Sequence, residues 1–163
     1  MLKKKGFIAC LVGSLLSLAG CAPKKLMPAG DLVRVMYTQT GTMAGYEYAG
    51  RVEQDSTGTF VLTAMKENYG PMFEKRIDAE TMKQFRQIIE EEGMYAYKDS
   101  YEPKYVVYDG TMWSFSAGFS DGNSIMTGGS NEWPKGNGLD RIIGYMKQLV
   151  EDGVQTADTG ETW

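Results

Sequence analysis

Two Asp-Gly pairs, Asp109-Gly110 and Asp121-Gly122, stand twelve residues apart between runs rich in aromatic and β-branched side chains. Asp and Gly tolerate the positive φ of tight turns, so such pairs between strand-like runs fold the chain back on itself. The spacing predicts a three-stranded meander over residues 105–108, 111–119 and 123–127. Its middle strand alternates, with Trp113, Phe115, Ala117 and Phe119 on one face and Met112, Ser114, Ser116 and Gly118 on the other. A period of two with one aromatic face predicts a half-buried sheet whose aromatic side needs a cover.

The cover is written on either side of the meander. Met82, Phe85, Ile88 and Ile89 recur at spacings of three and four, which predicts an amphipathic helix over residues 79–92. Asp78 is placed to cap it, and Gly93 to stop it. A second stripe of Leu139, Ile142, Ile143, Met146, Leu149 and Val150 predicts another helix from about 139, with Asn137 as its cap and Asp140 at the reciprocal capping position. Upstream, residues 32–40, 46–54 and 59–66 read as strands, the last two joined by a turn at 55–58, and 72–77 as a short fourth. The expected fold is therefore α+β: a mainly antiparallel sheet of hairpins and meanders with two amphipathic helices packed on it, in the order βββ(β)-α-βββ-α.

The first twenty residues do not belong to that domain. Lys3, Lys4 and Lys5 precede an apolar, small-residue run from Gly6 to Gly20, which reads as a secretory signal too short for a stable membrane span. The stretch Leu18-Ala19-Gly20-Cys21 resembles the lipobox of bacterial lipoproteins. The resemblance implies cleavage between Gly20 and Cys21, fatty acyl chains such as palmitate on Cys21, and a protein held on the cell membrane or the outer membrane, outside the cytoplasm. Several acyl chains make such an anchor durable without a spanning helix. The organisation expected is a signal peptide over 1–20, a tether over 21–31, one α+β domain over 32–153 and a flexible tail over 154–163. The region from Asp109 to Leu149 also resembles the C-terminal part of small uncharacterised envelope lipoproteins, through Asp109, Gly110, Trp113, Phe115, Phe119, Asp121, Gly122, Gly129, Asn131 and Pro134. That likeness implies fold and location and transfers no catalytic residue.

Composition narrows function by exclusion. After the signal, 14 Lys and Arg face 21 Asp and Glu, so the domain is acidic and lacks the clustered cations of a nucleic-acid binder. The chain has no histidine, and its two cysteines lie at positions 10 and 21. His-assisted nucleophilic catalysis and most zinc sites are thereby removed, and no phosphate-cradling glycine motif is present. No cofactor or metal is expected. Two acids, Asp121 and Glu132, are the pair to consider for carboxylate-based hydrolysis.

The segment Gly-Gly-Ser-Asn-Glu-Trp-Pro-Lys-Gly-Asn-Gly over 128–138 is long for a connection between a strand and a helix. Trp133 is expected to tuck its ring beneath this loop, and Asn131, Trp133 and Lys135 are the candidate ligand-binding residues. The function expected is a non-catalytic envelope module that binds a protein, peptide or glycan. The alternatives are a small hydrolase using carboxylates, or an inhibitor of an exported enzyme that uses the loop as a wedge.

Overall fold

The computed structural model describes residues 25–41, 45–105, 107 and 109–156. The signal, the cleavage site and Cys21 lie outside the described residues, as do 157–163 of the tail.

Eight strands form one sheet, with two helices against one of its faces. The strands are β1 (Leu32–Thr40), β2 (Tyr46–Gln54), β3 (Phe60–Met65), β4 (Met72–Ile77), β5 (Ser100–Tyr101), β6 (Met112–Phe119), β7 (Ser124–Ser130) and β8 (Val154–Gln155). The helices are α1 (Ala79–Glu91) and α2 (Gly138–Leu149). Across the sheet the order is β5-β7-β6-β1-β2-β3-β4-β8. Every pairing is antiparallel except β5 with β7. The α+β expectation and its order hold, and the antiparallel pairing of β1 with β6 joins the two halves into one sheet.

Register makes the core. Val35 lies between Val52 and Ala117, and Tyr37 between Gly50 and Phe115, so aromatic and branched side chains of β1, β2 and β6 share one face. Met82, Phe85, Ile88 and Ile89 of α1 and Leu139, Ile142 and Met146 of α2 are buried against that face. At roughly 25 cal/mol per Å² of apolar area removed from water, this interleaving is the main source of stability in a domain without a disulfide. The sheet lets α2 come close at Gly50, where an added Cβ would lie 2.6 Å from the Met146 sulfur. Asp78 caps α1 by accepting from the Thr81 amide at 2.8 Å. Gly93 follows α1 with φ 61°, in the left-handed region that glycine favours.

Three local expectations are corrected, and one turn stands as expected. Asp121-Gly122 does turn a hairpin: Gly122 has φ 81°, and the Phe119 amide donates to the Asn123 carbonyl at 3.0 Å. Asp109-Gly110 does not. Tyr105 and Val107 are exposed and belong to no strand, and the edge of β6 that such a hairpin would fill is taken by β1. The helix cap expected of Asn137 forms no side-chain bond; its carbonyl takes the Arg141 amide instead. The tail is not frayed from 154 onward, since β8 pairs with β4 and the Thr156 amide donates to the Met72 carbonyl.

The tether expected over 21–31 is also bound to the domain wherever it is described. Lys25 reaches the Tyr97 carbonyl at 2.8 Å and the Asp99 carboxylate at 2.5 Å. The Gly30 amide donates to Asp121 and the Asp31 amide to Ser120, while Arg86 donates to the carbonyls of Pro28 and Gly30.

Candidate functional site

The chain between β7 and α2 is shorter than it looks in sequence. Gly128, Gly129 and Ser130 extend β7, which leaves residues 131–137 as the connection. Asn131 works inside it. With φ 53°, it accepts from the Thr111 amide at 2.9 Å through Oδ1 and donates to Ser130 Oγ at 3.3 Å. It packs so tightly on Gly110 that an added Cβ there would meet its amide nitrogen at 1.9 Å. Trp113 donates from its ring nitrogen to the Glu132 carbonyl at 2.8 Å, pinning the loop to the sheet. Lys135 is exposed.

Trp133 departs from the expectation. Its ring is not tucked beneath the loop: 44% of the residue is exposed, while the next residue, Pro134, is buried. Together with Gln39, Pro134, Gly136, Leu139 and Asp140 it lines an open cleft of about 310 Å³. The three candidates thus separate. Asn131 is a loop brace, Lys135 does not line the cleft, and Trp133 does.

Beneath the cleft runs a hydrogen-bonded relay. The Tyr37 hydroxyl donates to Gln39 Oε1 at 2.8 Å, Gln39 Nε2 donates to Glu47 at 2.8 Å, and Asn68 donates to the other Glu47 oxygen at 3.2 Å. Lys147 of α2 then donates to Asn68 at 3.0 Å. Burial, with Asp140 and Glu47 close by, pushes the Tyr37 hydroxyl well above the usual phenol range. Tyr37 therefore stays protonated at neutral pH and serves as a fixed donor and acceptor, not as a base. The relay fixes Gln39. A half-exposed aromatic face beside a primary amide and a carboxylate can stack on a flat apolar surface and hydrogen-bond its polar edge.

The carboxylate pair falls apart in space. Asp121 sits in the hairpin before β7 and Glu132 in the loop after it. The seven residues of that strand span about 20 Å, roughly twice the widest separation used by paired glycosidase carboxylates. Asp121 is moreover engaged: it accepts from the Asn123 and Gly30 amides, and these bonds hold its carboxyl below the usual range. Among the described residues, no three His, Cys, Asp or Glu are grouped to hold a metal ion. No helix among them is long and apolar enough to cross a membrane.

Sequence reasoning singled out Trp133 but not Gln39, Glu47 or Asp140. Gln39 reaches the loop only through the long-range register of β1 with β6, in which it faces Trp113. The available signal was a polar residue two places after Tyr37, at the end of an apolar alternation. Comparison with protein-family models, with curated proteins and with solved structures finds no match.

Proposed function

We propose that this protein is a lipid-anchored envelope module whose domain binds a protein, peptide or glycan in the cleft beside Trp133, without catalysing a reaction on it. The anchor is proposed at Cys21, with cleavage after Gly20, on the strength of the Leu18-Ala19-Gly20-Cys21 stretch. The observation behind the binding site is the placement of Trp133: a large ring left 44% in water beside a buried proline and flanked by Gln39 and Asp140. A ring kept only for stability would gain more by full burial. The separation of Asp121 from Glu132 and the protonated state of Tyr37 support a binding role over a hydrolytic one.

The test is photo-crosslinking in intact cells, with the reactive group at the exposed position 135. Discrete adducts that disappear in Trp133→Ala are expected. An adduct pattern unchanged by that substitution would remove the cleft from the proposal. The anchor is tested separately with a fatty-acid probe: Cys21→Ser is expected to stay unprocessed and unlabelled, and normal labelling of that variant refutes the lipidation.

A further inference from the structure

We propose that the helix-free face of the sheet, around Met36, Met112, Met126 and Leu26, is the surface with which the domain rests on an anionic lipid bilayer. The proposal rests on the anchor at Cys21 proposed above and adds to it an orientation.

The face follows from register. Met36, Ser116 and Met126 sit side by side on β1, β6 and β7, and Thr38 lies opposite Ser114, all on the side away from the helices. Met126 is 68% exposed, Met112 63% and Leu26 76%. Leu26, Met36 and Met126 line one groove of about 660 Å³ together with Ser114 and Ser116. Exposed methionines and a leucine gathered on one side are a surface that gains by leaving water.

Charge around this groove differs from that of the molecule, while farther along the same side of the sheet Arg51 and Arg76 stand with Glu53 and Glu74. The whole chain carries −4, yet the cations lining the groove are Lys25 and Arg34, and its one acid, Asp99, is already paired with Lys25. Arg34 forms no ion pair among the described residues and is exposed. Apolar side chains beside one cation left over after the Lys25–Asp99 pair suit anionic headgroups over acyl chains.

Chain length keeps the groove close to the bilayer once Cys21 is acylated. A free segment from 21 to 31 could hold the domain about 36 Å from the anchor. But Lys25 is already fixed on Tyr97 and Asp99, and the chain stays bonded to the domain through Asp31. The four remaining links reach at most about 14 Å. Lys25 and Leu26, on the groove itself, are thus the residues nearest the lipid, and the Trp133 cleft, formed with Leu139 and Asp140 of α2, stays on the helix side.

The experiment uses full-length protein purified with its lipid and placed in vesicles of phosphatidylethanolamine and phosphatidylglycerol. With Cys21 acylated, an added cysteine is the reactive thiol, so a small environment-sensitive dye is attached to Met112→Cys, Met126→Cys or Gln148→Cys. The last lies on the exposed side of α2. Lipids bearing a quencher on their acyl chains are expected to lower emission at positions 112 and 126 at least about twofold and to leave 148 unchanged. Adding Arg34→Glu is expected to restore much of the emission at 126. Equal quenching at 126 and 148, or none at either on vesicles that hold acylated protein, would overturn the orientation while leaving the anchor intact. Shielding of 126 that grows with protein concentration and ignores the lipid quencher would assign the face to a second copy and also overturn it. An intact mass without acyl groups would refute the anchor itself, and this proposal with it.

Discussion

Tyr37 and Tyr48 stand side by side in the core with ring centroids 6.2 Å apart, both almost wholly buried. Their hydroxyls have opposite fates. Tyr37 donates to Gln39, whereas the Tyr48 hydroxyl is buried with no hydrogen-bond partner among the described atoms. A net protein hydrogen bond stabilises by about 1 kcal/mol, and a buried polar group left unpaired costs about 1–3 kcal/mol. Removing the two oxygens should therefore move stability in opposite directions. Tyr37→Phe is expected to lose about 1–2 kcal/mol in urea unfolding, while Tyr48→Phe is expected to be neutral or about 1 kcal/mol more stable. A matching loss in both variants would show that Tyr48 has a partner. Trp133→Ala belongs beside them. A wholly buried ring would cost roughly 3 kcal/mol, but a ring half in water should cost about half of that.

At the scale of elements, the two Asp-Gly pairs show how far sequence reaches. Both have the same local chemistry, yet only Asp121-Gly122 joins paired strands. A turn dipeptide sets what the backbone can do locally, while a hairpin also needs its preceding run to find a partner strand. The edge of β6 opposite β7, where that run would pair, is held by β1. Substitution separates the cases. Gly122→Ala, at φ 81°, is expected to lower stability by about 1 kcal/mol, and Asp109→Ala, exposed and outside any turn bond, to stay within about 0.5 kcal/mol in the same unfolding assay. The helices were legible because their apolar stripes encode both period and buried face, as Phe85 and Ile142 show. The cleft was legible only as a loop tryptophan. Its other walls come from β1 and α2, and only β-pairing between residues far apart in the chain brings them together.

For the whole molecule, the corners are held by carboxylates. Asp55 accepts within the β2–β3 turn, Asp78 caps α1, and Asp121 ties the β6–β7 hairpin to Gly30. Asp152 joins the chain after α2 to Lys75 of β4, and Glu91 joins α1 to Arg141 of α2. Hydrogen bonds, helped by nearby cations in several cases, hold all five below their usual carboxyl range. At the other extreme, burial raises the hydroxyls of Tyr37, Tyr48, Tyr97 and Tyr145. The consequences for stability run in opposite senses. Carboxyls that release protons more readily when folded contribute fully above the ordinary carboxylate range, and that contribution is lost as pH falls through their folded values. Phenols that bind protons more tightly when folded contribute fully below about pH 10, and lose that contribution as pH rises. No histidine lies between these ranges. Urea midpoints are therefore expected to be flat from about pH 6 to 8, and to fall below about pH 4 and above about pH 10. Asp121→Asn should be less stable than the parent on the plateau, with the gap narrowing in acid, because the parent then loses the same interaction. A midpoint sloping steadily through neutral pH would contradict this assignment, since no described group with a shifted pKa titrates there. A gap that persists unchanged at low pH would mean that the charge of Asp121 is not what ties Gly30 to the hairpin.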